Sequence, residues 1–149
     1  MKTIVALVDF SDLTFKILKQ AHKLAHAFGS HVIVVHVVPK ESTVVGIGVA
    51  SPTILREPTE EEIATDREKL DALGESLTKF GVQTSTKQLH GATVESIVAE
   101  ASQHNADLIL MGTHGHGALY NFLVGTATTE VLKKAPCPVL IVPSTAKDG

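Results

Sequence analysis

Short aliphatic runs alternate along this chain with longer segments in which apolar residues recur at helical spacing. Four of these runs consist almost entirely of apolar residues, a pattern typical of strands buried on both faces of a parallel sheet. They are Thr3 to Val8, His31 to Val38, Asp107 to Met111 and Pro138 to Val142. A fifth run, Val82 to Leu89, is β-prone but polar, and we predict that it forms an edge strand.

The segments between the runs carry the apolar stripes and end signals of amphipathic helices. We predict helices at about 12–28, 60–80, 93–104 and 125–134. Ser11 or Asp12 can cap the first helix, Thr59 can cap the second, and Gly29 suits a left-handed C-cap. The resulting order, β-α-β-α-β-α-β-α-β, predicts an α/β fold with a five-stranded parallel sheet and helices on both faces.

One long stretch, residues 39–58, contains three prolines, two glycines and no clear period. We predict a loop there, and loops of that length inside a compact domain are usually functional or mobile. In folds of this class, ligands bind outside the carboxyl ends of the strands, where the strand order reverses. The candidate positions therefore follow the first, second and fourth strands.

Composition narrows the class of protein. A length of 149 residues predicts a single domain spanning 1–149. With 44% hydrophobic and 19% charged residues, a soluble globular protein is expected. The formal net charge of −3 argues against a nucleic-acid partner.

Since no apolar run reaches about 18 residues and no secretion signal is evident, we expect no membrane association. The single cysteine, Cys137, excludes an internal disulfide and fits a cytoplasmic location.

A glycine pattern follows the fourth strand. The chain reads Gly112-Thr113-His114-Gly115, then nine residues, then Gly125-Thr126. Three glycines at fixed spacing arise by chance about one time in twenty, so the position of the pattern is the stronger signal. It starts where a buried strand ends, and its last glycine opens a helix. Bare backbone amides and a helix N-terminus together favour phosphate binding.

At these residues the chain resembles the universal stress protein family, in its ATP-binding branch, whose signature is G-x2-G-x9-G-[ST]. Residues 112–126 match that signature in full. The resemblance extends to Val8 to Ser11, His36 to Val38, Met111 to Gly115 and Pro136 to Pro143, and so spans essentially the whole chain. It implies a Rossmann-like fold of the adenine nucleotide alpha hydrolase type.

The resemblance also implies a set of binding residues. It places Asp9 beside the adenosine, the backbones of Val37 and Met111 against the adenine, and Gly112 at the ribose. The triphosphate would be held by Gly115, Gly125, Thr126 and Ala127. From the residues alone, Asp9 after a central strand can bind a ribose hydroxyl or can cap the first helix.

One departure from the family pattern concerns charge. Many relatives carry Lys or Arg after the second motif glycine, whereas this chain has His116, and no Lys or Arg occurs between Gln88 and Leu132. The phosphates would then depend on amides, hydroxyls, a divalent cation such as Mg²⁺ and partly protonated histidines, whose ordinary pKa is about 6.5. Affinity is expected to be modest or pH-dependent.

The remaining candidate side chains have ordinary structural interpretations. We interpret His114 and His116 as exposed loop residues rather than ligands, although His116 remains a candidate for phosphate binding. His22 and His26 are four apart on the first helix, but a solvated surface explains them better than a metal site. His36 is expected to be a hydrogen-bonded structural histidine and Cys137 a packed small residue. No nucleophile or metal site is predicted.

Three functions fit these features. The favoured one is an ATP-binding universal stress protein that senses or regulates through its nucleotide and hydrolyses it slowly at most. A second is a Mg²⁺-dependent adenine-nucleotide hydrolase or nucleotidyl-transfer enzyme using the same pocket. A third, a receiver with Asp9 as phosphoacceptor, lacks the expected acidic cluster. An exposed last strand, residues 139–142, predicts a homodimer, as is usual in the family, and residues 39–58 could form a lid over the nucleotide.

Overall fold

A computed structural model describes residues 1–38, 42–44, 54–91, 94–113 and 126–144. Its helices are α1 (Asp12–Phe28), α2 (Glu60–Lys79), α3 (Val94–Gln103) and α4 (Thr126–Lys134). Its strands are β1 (Thr3–Val8), β2 (His31–Val38), β3 (Ser42–Val44), β4 (Ile54–Arg56), β5 (Thr84–His90), β6 (Leu108–Gly112) and β7 (Val139–Val142). The four predicted helices and five predicted main strands are confirmed, with boundaries shifted by a few residues at most.

The main sheet is parallel throughout and has the strand order β5-β2-β1-β6-β7. The central strand β1 is buried from Ile4 to Val8, as its continuous apolar run predicts. The polar strand β5 lies at one edge, which confirms the prediction made from its composition. At the start of β1, Asp107 Oδ2 accepts hydrogen bonds from the backbone N–H groups of Lys2 and Thr3, at 2.7 and 3.0 Å, and so ties β1 to the beginning of β6.

The helices cover both faces of this sheet, as predicted. Alternate residues of β1 belong to two different apolar clusters because successive side chains of a strand point to opposite faces. Ile4, Ala6 and Val8 pack with residues of α1 and α2, whereas Val5 and Leu7 pack with residues of α3 and α4. No helix among the described residues has the length and apolar character needed to cross a bilayer.

Two helix ends follow their sequence signals closely. Gly29 ends α1 in the left-handed conformation, with φ 66°, and its N–H donates to the carbonyl of Ala25; this confirms the predicted C-cap. At the start of α2, Thr59 and Glu62 form a reciprocal capping box, with hydrogen bonds of 3.1 and 2.8 Å. These local bonds define the ends of the two helices on one face of the sheet.

The predicted loop at 39–58 is partly wrong. Ser42–Val44 pairs with Ile54–Arg56 as a two-stranded antiparallel ladder in which Thr43 is opposite Leu55. Strands of three residues are too short to show a period of two, which explains why the sequence did not reveal them. Residues 45–53, which hold most of the lid hypothesis, lie outside the described part of the chain.

Candidate functional site

The strand order reverses between β1 and β6. From β1 the chain crosses to β2 on one side, and from β6 it crosses to β7 on the other. This is the topological switch point, and in folds of this class ligands bind in a crevice beside it, at the carboxyl ends of the strands. Ala6 pairs with Leu110, which puts the last residue of β1 level with Gly112. Asp9, the next residue after β1, therefore lies at the same sheet edge as Met111 and Gly112, as the sequence predicts.

Asp9 is half-buried, and its carboxylate holds the turn that leads into α1. Its Oδ1 accepts hydrogen bonds from the backbone N–H of Ser11, at 3.0 Å, and from the hydroxyl of Thr14, at 3.4 Å. This is the helix-capping role that the sequence left open as an alternative. The predicted contact of Asp9 with adenosine remains a prediction.

The predicted cap of α1 is confirmed in position but not in its side-chain hydrogen bond. Ser11 occupies the N-cap position of α1, but its side chain makes no capping hydrogen bond. Its Oγ is buried and has no hydrogen-bond partner among the described residues. Buried hydroxyls normally find a partner, so an unpartnered one beside Asp9 fits a site that receives a polar ligand.

Phe10, between these two residues, was missed by the sequence analysis. Its backbone has φ 62°, and a bulky side chain in the left-handed region costs on the order of 1–3 kcal/mol. Contacts on its ring offset that cost: the centroid of the His36 ring lies 4.4 Å away, and the Lys69 ammonium lies 5.6 Å from the ring centroid. The sequence does not predict this conformation, because a residue that follows a strand is assigned to a loop whatever its type.

His36 is buried, with 5% of its surface exposed, which confirms one part of its predicted structural role. The other part is not confirmed, since Nδ1 has no hydrogen-bond partner among the described residues. Burial lowers the pKa of His36, and although Asp66 and Asp9 act in the opposite direction, the net shift is downward. The ring is therefore neutral at pH 7 and lies close to the Asp9 turn.

The side chains of Val37 and Met111 are buried and hold the backbone of these residues in position. Both side chains are buried in the apolar layer beneath α3 and α4. Their strands flank β1, with Val37 paired to Leu89 and Met111 paired to Ile141. Packing of this kind fixes the backbone at the two strand ends, and the role that the resemblance implies for these residues is a backbone role.

The glycine pattern is only partly within the described residues. Gly112 ends β6 and is buried, and the N–H of the following Thr113 donates to Val142 O at 3.1 Å. Gly115, His116 and Gly125 lie outside the described residues, as does His114. Thr126 and Ala127 begin α4. Because α4 connects two parallel strands, its N-terminus returns to the carboxyl edge of the sheet.

Contacts at the other end of α4 hold the helix in place. Val131 is fully buried in the same apolar cluster as Met111. Lys134 Nζ lies 2.7 Å from Glu95 Oε1 of α3 and 3.3 Å from Glu130 Oε2. Hydrogen bonds to Glu95 and then Glu130 raise the pKa of Lys134. The ion pair with Glu95 ties α4 to α3 and so helps to position the N-terminal amides of α4, whereas the pair with Glu130 lies within α4.

Two other expectations concern metals and thiols. Within the described ranges, no three His, Cys, Asp or Glu side chains are arranged to hold a metal ion. His22 and His26 stack with ring centroids 6.1 Å apart. Cys137 packs against the α3 and α4 cluster, as predicted for a small apolar residue, and burial raises the pKa of its thiol.

The strand order and the covered faces define a Rossmann-like α/β protein whose topological switch point lies between β1 and β6. A model of the universal stress protein family matches residues 1–143. The chain is 33% identical over 147 residues to a universal stress protein of Methanocaldococcus jannaschii, a match that covers 99% of this chain and 85% of the relative. The chain belongs to the universal stress protein family, which confirms the resemblance seen in its motifs.

Solved structures show the same architecture. The universal stress protein from Archaeoglobus fulgidus in complex with dAMP is 25% identical, with a TM-score of 0.66 over 95% of this chain and 97% of that chain. A universal stress protein solved in complex with cAMP is 20% identical, with a TM-score of 0.68 over 97% and 98% of the two chains. The second likeness shows the fold alone. Both confirm the Rossmann-like fold predicted from the order of elements.

Proposed function

We propose that this chain is an ATP-binding universal stress protein that acts as a nucleotide-dependent sensor or regulator and hydrolyses its nucleotide slowly at most. The observation that carries the proposal is the pair formed by Asp9 and the unpartnered Ser11 hydroxyl at the switch-point crevice. A carboxylate and a hydroxyl suit the hydroxyls of a ribose. The dAMP complex of the Archaeoglobus fulgidus relative supports an adenine nucleotide as the ligand.

The adenine would lie between the strand ends that flank β1, against the backbones of Val37 and Met111, with the ribose near Asp9 and Gly112. Gly115, Gly125, Thr126 and Ala127 would hold the phosphates, with His116 beside them. The physical reason is that the start of α4 offers unpaired N–H groups and the positive end of a helix dipole. ATP with Mg²⁺ is the form we propose, and the metal would offset phosphate charge that no Lys or Arg of this segment can neutralise.

The first test identifies the ligand. We expect an adenylate among the small molecules that are released when the purified chain is denatured and then separated by chromatography. Calorimetric titration with ATP, AMP, dAMP and cAMP, each with and without Mg²⁺, ranks the candidates. Enzyme-like turnover of ATP would favour the hydrolase alternative, and absence of binding to every adenylate would refute the proposal.

The second test uses the motif glycines. A side chain at Gly115 or Gly125 would occupy the phosphate path, so Gly115→Val and Gly125→Val should each weaken ATP binding by about a hundredfold or more, a loss of roughly 2.7 kcal/mol. Ser102→Val is the control, because it introduces the same side chain at an exposed position near the end of α3, away from the carboxyl edge of the sheet. Folded variants of the motif glycines that keep wild-type ATP affinity would remove the phosphate-binding assignment.

We further propose that the protein works in the cytoplasm as a homodimer formed through β7. This strand is at the edge of the sheet, and Val139, Leu140 and Ile141 are only half-buried. An apolar edge strand invites pairing with a second copy. Solution mass measured by light scattering tests the dimer directly.

A further inference from the structure

A groove separates α1 from α2 on one face of the sheet. α1 packs mainly over β1 and β6, and α2 packs over β5 and β2, so the two helices leave a cavity of about 620 Å³ between them. Small-molecule sites typically enclose roughly 300–1,000 Å³. The large apolar wall residues of this groove are Phe10, Phe15, Leu18, Leu73, Leu77 and Phe80.

Two aromatic rings of this groove are unusually accessible. Phe15 of α1 is 67% exposed, and Phe80, just after α2, is 69% exposed. A single exposed phenylalanine needs no explanation, but these two belong to opposite walls of one concavity. Together with the leucines beneath them, they form a continuous apolar surface that water covers unfavourably. That surface indicates an apolar occupant.

The charged residues of the groove all have one sign. Lys19 and Lys69 line it, and none of its described lining residues carries a carboxylate. Lys19 Nζ lies 6.0 Å from the centroid of Phe15. The rim of the groove is therefore complementary to an anionic group attached to an apolar body.

We propose that this groove binds a free long-chain carboxylate, with its tail between Phe15 and Phe80 and its head group at Lys19. The wall on α1 runs from Ser11 to His22, about 17 Å at 1.5 Å per residue, which suits an extended tail of about a dozen carbons. An anionic bilayer surface is bound by clusters of about four to eight cations, whereas two lysines line this groove, so the occupant is a single amphiphile in solution. This site would be additional to the nucleotide site, which it adjoins at Phe10 and Ser11.

The first experiment tests the head group on the full-length chain. Calorimetry compares dodecanoate with dodecyltrimethylammonium, which has the same tail and the opposite charge, below their critical micelle concentrations. We expect wild type to prefer dodecanoate by about fivefold, the range of an exposed ion pair, and Lys19→Glu to abolish or invert that preference. Lys87→Glu is the matched control. Thr84 and Thr86 of β5 face α2, and since successive side chains of a strand point to opposite faces, Lys87 lies on the face away from the groove.

The second experiment fills the groove. Ser76 is exposed and lines it, so Ser76→Trp should weaken dodecanoate binding by at least about tenfold because an indole would take the place of the tail. Glu75→Trp puts the same ring on another side of α2 and should bind as wild type does. ATP titration of both variants reports on the nucleotide site separately, and we expect no change there.

Three results would overturn the proposal. One is a wild-type chain that binds neither amphiphile. Another is a chain that sediments with anionic vesicles but takes up no free dodecanoate, which would assign the groove to a membrane surface. The third is a Ser76→Trp variant that converts a dimer to a monomer while wild type binds no dodecanoate, which would make the groove an interface between copies.

Discussion

Asp9 combines a structural contact with a proposed binding role, and substitution can separate the two. Asp9→Ala removes the acceptor for the Ser11 N–H and the Thr14 hydroxyl, so we expect a loss of about 1 kcal/mol in the free energy of unfolding. Asp9→Asn keeps an acceptor oxygen and should retain most of that stability. Urea unfolding measures both variants. Equal destabilisation of the two would show that charge, and not the hydrogen bonds, maintains the turn.

His36 makes the stability of the protein depend on pH. Its pKa is lowered in the folded state, chiefly by burial, so the unfolded chain takes up a proton first as the pH falls. Stability is therefore lost as the pH falls below about 6.5, with a slope of at most about 1.4 kcal/mol per pH unit for one group. His36→Phe keeps a ring beside Phe10 but cannot titrate, so we expect a shallower loss.

The measurement for His36 is urea unfolding at several pH values between about 5 and 8, around the ordinary histidine pKa. His31, whose pKa is lowered by burial and by His104, contributes in the same direction but is present in both proteins and cancels in their difference. Parallel pH profiles for wild type and variant would contradict the assignment. The size of a constant offset between two parallel profiles would report packing only.

The fit between α2 and β5 depends on one glycine. A Cβ at Gly74 would lie 2.6 Å from Cγ2 of Thr86, a stiff β-branched side chain. Gly74→Ala should therefore lose about 1–3 kcal/mol through overpacking, although alanine gains about 1 kcal/mol in helix propensity. Thermal and urea unfolding measure the balance. A more stable Gly74→Ala variant would mean that the helix shifts at little cost.

A second substitution tests the cause of that loss. Thr86→Ser removes the crowding methyl group and keeps the hydroxyl that donates to Asp71 Oδ1 at 2.9 Å. We expect Gly74→Ala combined with Thr86→Ser to recover most of the lost stability, which would give a favourable coupling energy in a double-mutant cycle. Simple additivity of the two changes would place the cost of Gly74→Ala elsewhere.

Elements with strong local signals were predictable from the sequence, and those fixed by tertiary contacts were not. The buried run of β1 and the Thr59–Glu62 box each carry their own signal within a few residues. The β3–β4 ladder has strands of three residues, too short for a period. At the start of α1, the side chain that accepts the capping hydrogen bond is Asp9 and not Ser11. This arrangement depends on the left-handed backbone of Phe10, whose ring contacts residues of β2 and α2.

The location of the candidate site was predictable because it follows from topology more than from any side chain. Once five parallel strands are expected, the switch point after β1 and β6 is nearly determined, and Asp9 and Gly112 lie there in the structure. The ring contact between His36 and Phe10 could not be predicted in advance. The two residues are close because the end of β2, the turn after β1 and α2 meet at this point. Their separation along the sequence does not predict that contact.

The assembly of the molecule depends on which backbone groups β7 leaves at the edge of the sheet. The N–H groups of Ile109 and Thr113 donate to the carbonyls of Pro138 and Val142. In a parallel ladder, alternate residues of one strand bond to the same neighbour, so the backbone of Ile141 points away from β6.

Ile141→Pro would remove an outward donor and leave the β6–β7 ladder intact. We expect this variant to be a folded monomer by light scattering and circular dichroism, whereas Ile141→Val, which keeps the donor, should remain a dimer. A dimeric Ile141→Pro protein would show that the copies associate through another surface.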